Sequence, residues 1–147
     1  TFLVPNDDAW PTVAQSARVE GQESGARETV RLLQQAVSLD PEFALAHGKL
    51  AEVYIGLANA GFEPRDTAYP LARASAERAL ALNDHVVQAH NALAEYAFHY
   101  AWEWDDSDRH MRRALAVDPN YYNALSHLAS HLRDRKVVQH PDDDKFR

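Results

Sequence analysis

Histidine is the residue type in this sequence that could most readily do chemistry, because a neutral imidazole binds transition metals. The chain has eight histidines, and His127 and His131 are four residues apart, which places two ligands on one face of a helix. A zinc site needs three or four ligands, and no acidic residue is obviously placed to join this pair. We therefore expect no metal and no other cofactor. His47 and His90 occupy matching positions of the repeat described below, so we expect them to pack between helices, each with one ring nitrogen hydrogen-bonded.

Carboxylates and aromatic residues offer two further kinds of chemistry. Glu52 and Glu95 could serve an enzyme, but no base, nucleophile and orienting group can be assigned around them. The sequence has no glycine-rich phosphate loop and no Gly-x-Ser-x-Gly or His-Glu-x-x-His motif. Trp102 and Trp104 could anchor a partner, but we expect their large apolar area to pack between repeats. These residues favour a protein that is not an enzyme.

Composition and charge narrow the class of protein. The chain has 147 residues, 46% of them hydrophobic and 25% charged, which is typical of a soluble globular domain. Its net charge of -7 makes nucleic-acid binding unfavourable, and no apolar run reaches the length of a membrane span. The absence of cysteine leaves the compartment open, with the cytoplasm favoured over the periplasm. Because the chain begins with Thr1, we expect a processed product or a piece of a longer polypeptide.

The elements that would position these residues are helices separated by a recurring turn signal. Three segments read Ala-Val-Ser-Leu-Asp-Pro, Ala-Leu-Ala-Leu-Asn-Asp and Ala-Leu-Ala-Val-Asp-Pro, beginning at Ala36, Ala79 and Ala114. Each is typical of a helix end followed by an Asx turn, after which proline or aspartate opens the next helix.

The spacing of small residues shows that these helices form a repeat. Ala36, Ala79 and Ala114 are 43 and 35 residues apart, and Ala51, Ala94 and Ala129 have the same two spacings. Two independent sets of markers shifted by equal amounts indicate a repeated helix pair with one insertion. We expect the insertion as a long connection around residues 60–66.

A helix pair with a period near 34 residues resembles the tetratricopeptide-repeat (TPR) family. The first-helix motif is carried by His47-x2-Leu50-Ala51-x2-Tyr54 and its two equivalents, and the second-helix motif by Thr29-x3-Leu33-x2-Ala36-x4-Pro41 and its equivalents. The resemblance implies an all-α solenoid of antiparallel helix pairs: about three TPR units and an unpaired C-terminal helix. Its expected parts are an extension at 1–10, repeats at about 11–41, 42–84 and 85–119, a partial repeat at 120–135, and a polar tail at 136–147 that is disordered at its end.

The long connection and the Trp102-Glu103-Trp104-Asp105 segment resemble TPR regions of bacterial signalling proteins, which are attached to nucleotide cyclase, winged-helix regulator or kinase domains. The resemblance implies a scaffold or regulatory module that binds a protein or peptide, or alternatively a ligand-sensing domain. Its concave groove would be lined by the first helix of each pair. The expected lining residues are Leu45, Gly48, Glu52, Ile55, Gln88, Asn91, Glu95, Phe98, Asn123, Ser126, Ser130 and Arg133.

The chemistry of this expected groove and of the last helix suggests partners. Gly48 and Glu52 stand where some relatives clamp a C-terminal carboxylate with cationic and amide groups, so we expect a neutral or basic peptide instead. The apolar stripe of the unpaired last helix has no second helix to cover it, so we expect a homodimer through that helix. We expect no nucleic-acid or membrane partner for this segment.

Overall fold

The protein is all-α over the residues that the structure describes. This structure is a computed structural model that describes the backbone of residues 10–139 and the side chains of residues 18–134. The helices are α1 (Trp10–Leu39), α2 (Ala44–Asn59), α3 (Arg65–Leu82), α4 (Val87–Tyr96), α5 (Trp104–Val117) and α6 (Tyr122–Gln139), with a π-helical turn at Ala97–Ala101 that continues α4. Within residues 10–139, none of these helices combines the length and the apolar character that crossing a membrane requires.

Three of the connections between helices have the same local structure. In each, an Asx side chain accepts a hydrogen bond of 3.0 Å from the backbone N–H two residues later, and its own N–H donates at 2.9 Å to the carbonyl four residues earlier. These Asx residues are Asp40, Asn83 and Asp118. The predicted turns are therefore confirmed. Pro41 and Pro119, however, lie within the turns and do not open helices, because α2 and α6 begin three residues after them.

Three pairs of helices that are neighbours in sequence pack antiparallel, since residues later in one helix contact residues earlier in the next. For α1 and α2 the contacts are Gln34–Tyr54 and Arg27–Glu63, with Glu63 in the connection just after α2. For α3 and α4 with its π-helical turn they are Asp66–Tyr100 and Arg73–Tyr96, and for α4 and α5 they are Ala94–Ser107 and His90–His110. Small residues sit at the closest approaches, and Ala51, Ala72, Ala94 and Ser107 are completely buried. The core therefore lies mainly among α2, α3 and α4, and it positions one end of α4 beside α6.

The first helix differs from the sequence-based expectation. A helix pair was expected within residues 11–41, but α1 runs without interruption from Trp10 to Leu39. The segment lacks the Asx turn found at three later junctions, and its isolated glycines, Gly21 and Gly25, are surrounded by good helix formers. Residues 1–9 lie outside the described residues.

The insertion in the middle repeat lengthens both α3 and the connection that precedes it. α3 has 18 residues and its equivalent α5 has 14, and five residues precede α3 where two precede α5. Residues 60–64 connect α2 to α3. Gly61 adopts a positive φ of 74° in this connection and ends α2 as expected. Alanine, leucine and arginine recur along the longer α3, and these residues favour helix. The connection expected around residues 60–66 therefore lies at 60–64, because α3 begins at Arg65.

The last helix presents two different faces. Ala124 and His131 are buried towards the rest of the protein, whereas Leu125 and Leu132 are each 44% exposed and Ala129 is exposed as well. This is the pattern expected for a helix packed on one side only. α6 extends to Gln139, four residues beyond its expected end, and the tail at 140–147 lies outside the described residues.

Candidate functional site

The structure divides the twelve expected groove residues into three groups. Four are exposed: Leu45, Asn123, Ser126 and Arg133. Four are half-buried: Glu52, Gln88, Phe98 and Ser130. Four are buried: Gly48, Ile55, Asn91 and Glu95. These residues therefore do not form one continuous open surface in this structure.

Packing between helices explains why three of these residues cannot contact a partner. Ile55 belongs to the core cluster and is not available to grip a side chain from another molecule. Gly48 lies where the backbone of α2 passes close to the start of α4, since a Cβ built on it would lie 2.5 Å from Cγ1 of Val86. Burial excludes Asn91 in the same way.

The two glutamates of the expected groove face α6 and the turn before it. The Tyr121 hydroxyl donates a hydrogen bond to Glu52, and His127 contacts Glu95. Burial, together with the hydrogen bond to Glu52, raises the pKa of Tyr121. Glu95 is only 4% exposed. The expectation that Glu95 offers its charge to a partner is therefore wrong, because α6 covers it.

Glu95, His99 and His127 form a compact cluster at this contact. One ligand atom from each side chain lies within 4.8 Å of the others. Glu95 and His99 are four residues apart at the junction of α4 with its π-helical turn, and His127 comes from α6. Burial lowers the pKa of His99, and the negative charge of Glu95 opposes this effect. The sequence-based expectation of no metal did not include this set, because it considered only His127 with His131.

His131 belongs to a separate contact. Its Nδ1 lies 2.6 Å from Oδ1 of Asp108, and the rings of Phe98 and Trp104 approach it edge-on with centroids 4.9 and 6.3 Å away. The structure thus gives each histidine of the i,i+4 pair its own acidic neighbour. Phe98, in contact with both His99 and His131, lies between the two groups.

A cleft of about 610 Å³ lies beside the π-helical turn and is lined by Arg65, Phe98, His99, Tyr100 and Trp102. The backbone of Trp102 is left-handed, with φ 61°, and its side chain is 72% exposed. The expectation that Trp102 packs between repeats is therefore wrong. Arg65 donates a hydrogen bond to the carbonyl of His99 and lies over the Tyr69 ring, 5.1 Å from its centroid.

His47 and His90 have the structural role that was expected. Nε2 of His47 is hydrogen-bonded to the carbonyl of Pro41 at 3.0 Å, and Nε2 of His90 to the carbonyl of Asp84 at 2.8 Å. Each ring therefore ties the start of its helix to the preceding turn. This equivalence supports the repeat.

Sequence reasoning missed several residues of this region. It did not single out His99, Tyr100 or Arg65, although the four-residue spacing of Glu95 and His99 is visible in the sequence. The π-helical turn has no comparable sequence signal. No family model matches the chain, and no curated protein matches it either.

Proposed function

We propose that this chain is a TPR-like helical-repeat module that binds a peptide or protein partner within a larger regulatory protein. The observation that carries the proposal is the set of three equivalent Asx junctions, with antiparallel helices packed on small buried residues. A repeated, rigid array of this kind offers a preformed surface that loses little conformational entropy when a partner docks.

The cleft beside the π-helical turn is the best candidate for the anchoring pocket of this module. Three aromatic side chains line it, and aromatic residues are the commonest source of binding energy at protein interfaces. Trp102 is the most accessible of them. Its left-handed backbone also supports a functional role for this loop, because backbone strain concentrates at functional sites. We propose this pocket as the anchoring surface in place of the open groove implied by the resemblance, because four of the twelve expected groove residues are buried.

The chemistry of the partner rests on charge. The net charge of -7 favours a neutral or basic peptide through long-range attraction. Glu52 and Glu95 do not strengthen this argument, because Tyr121 and His127 occupy them. Net charge alone therefore supports our proposal that the partner is a neutral or basic peptide.

Selection from a library of short random peptides displayed on phage tests the proposal. We expect the immobilised protein to enrich peptides with a shared motif, and Trp102→Ala to weaken their binding by about tenfold or more in fluorescence anisotropy. Leu39→Ala is the matched control, because Leu39 is 81% exposed and lies outside the cleft. Failure to enrich a motif, or equal binding by Trp102→Ala, would contradict the proposal.

A ligand-sensing domain is the second candidate, and the same cleft favours it. Its volume of about 610 Å³ falls within the range of small-molecule sites, roughly 300–1,000 Å³. A fragment screen by NMR distinguishes the candidates. If the chain is a sensor, fragments should shift the resonances of the cleft residues without displacing any selected peptide. If the cleft is a peptide-binding pocket, the fragments and the selected peptides should compete for it.

The exposed face of α6 supports a homodimer. Leu125 and Leu132 present apolar surface on a flank of α6 about 100° around the helix from Ala124 and His131. A second copy of α6 would cover this stripe by a two-fold contact, which is the commonest arrangement of soluble oligomers.

A further inference from the structure

We propose that Glu95, His99 and His127 bind a divalent transition-metal ion, with Zn²⁺ as the best fit, and that this ion fastens α6 to α4. The residues supply one carboxylate and two imidazoles. That donor set suits zinc and its neighbours in the first transition row, whereas magnesium and calcium prefer oxygen ligands throughout.

The distances in the cluster already approach those of a coordination sphere. Oε2 of Glu95 lies 3.5 Å from Nε2 of His99, and Oε1 of Glu95 contacts Nε2 of His127. With bonds of about 2.0–2.1 Å, the ligand atoms of a tetrahedral zinc ion are roughly 3.4 Å apart. Small side-chain rotations therefore suffice to close the three ligand atoms around an ion.

The polar groups of the cluster need a partner that protein atoms do not fully supply. Oε2 of Glu95 is buried and has no hydrogen-bond partner among the described residues, although His99 is near it. A proton shared between Glu95 and His127 satisfies only two of the three groups. A metal ion satisfies all three, and its positive charge compensates the buried carboxylate.

The surroundings provide selectivity and access. Phe98 separates His99 from the His131–Asp108 contact, so that pair stays outside the ligand set. His99 also lines the cleft beside the π-helical turn, which gives an ion a route to the cluster and leaves room for water at the fourth position.

Metal binding would have a structural consequence. Glu95 and His99 belong to α4 and its π-helical turn, whereas His127 belongs to α6. An ion held by all three would therefore restrain the last helix against the repeat array. This inference does not rest on the proposed function: zinc binding is measured without a peptide, although His99 also lines the cleft that would anchor one.

The test uses the whole chain without a histidine tag, titrated with zinc chloride in a calorimeter. We expect one high-affinity ion per chain, and a loss of affinity of about 100-fold or more for His127→Ala and for His99→Gln, because each removes a direct ligand. His85→Ala is the control. His85 is exposed, lies before α4 and contacts Asp84, so its loss should leave zinc affinity unchanged.

Hydrogen exchange of the backbone amides in α6 provides a second readout that does not depend on calorimetry. Zinc should slow exchange in α6 of the original protein and of His85→Ala, but not of His127→Ala. Circular dichroism checks that each variant is folded. The proposal would be overturned if the original protein bound zinc no more tightly than His127→Ala and His99→Gln do. Equal protection of α6 by zinc in all variants would also overturn it.

Discussion

Two glycines in α2 should respond in opposite directions to the same substitution. Gly48 is buried, and a Cβ at this position would lie 2.5 Å from Cγ1 of Val86 and 3.6 Å from Cβ of Gln88. Gly56 is exposed, and a Cβ there would meet nothing within 4 Å. Replacing glycine by alanine inside a helix contributes about 0.8–1 kcal/mol of stability in both cases. Only at Gly48 does the added methyl group collide with a stiff, β-branched neighbour.

The magnitude follows from these two effects. Overpacking a buried contact costs about 1–3 kcal/mol, which at Gly48 cancels or exceeds the gain in helix propensity. We expect Gly56→Ala to stabilise the protein by about 1 kcal/mol and Gly48→Ala to destabilise it by roughly 0–2 kcal/mol. The difference between the two variants, about 1–3 kcal/mol, is independent of helix propensity.

Urea unfolding followed by circular dichroism measures the difference, and melting temperatures should move by about 2–4 °C for each kcal/mol. A double-mutant cycle with Val86→Ala isolates the collision. In that background Gly48→Ala should become stabilising, like Gly56→Ala. If Gly48→Ala stabilised the original protein as much as Gly56→Ala does, the close approach of α2 to α4 would be refuted.

Three further predictions concern the loop at Trp102, the half-buried His110 and α6. Trp102→Gly should be more stable than Trp102→Ala by about 1 kcal/mol, because glycine alone adopts the left-handed backbone without strain; equal melting temperatures would contradict this. Burial, reinforced by His90, lowers the pKa of His110 to about 4. In the unfolded chain the pKa of His110 is near 6.5, so the unfolded state binds this proton at a higher pH than the folded state does. The free energy of unfolding should therefore fall as the pH decreases from about 6.5 towards 4. In urea titrations at pH 7.5 and 5, His110→Gln should reduce the loss of unfolding free energy between the two pH values. An equal loss in the variant and the original protein would contradict the role of His110. Light scattering should show a concentration-dependent dimer that Leu132→Glu converts to a monomer, whereas a strict monomer at high micromolar concentration would rule out the α6 contact.

How well the sequence predicted a structural feature depended on how far apart in the chain its interacting residues lie. The turns at Asp40, Asn83 and Asp118 could be predicted because an Asx side chain bonds to a backbone amide two residues away. The complete burial of Ala51 and Ala94 could be predicted because a repeat places small residues where helices meet closely. α1 was misjudged for the opposite reason: nothing local ends the helix between Trp10 and Leu39.

The sequence by itself determined the all-helical class and the turns between helices, since both depend on residues within one or two helical turns of each other. Only the tertiary structure decided which polar residues meet. Glu95 and His127 are far apart in the chain, and their contact depends on the angle at which α6 crosses the end of α4. Packing of large and small side chains over the whole interface sets that angle, and no short pattern encodes it.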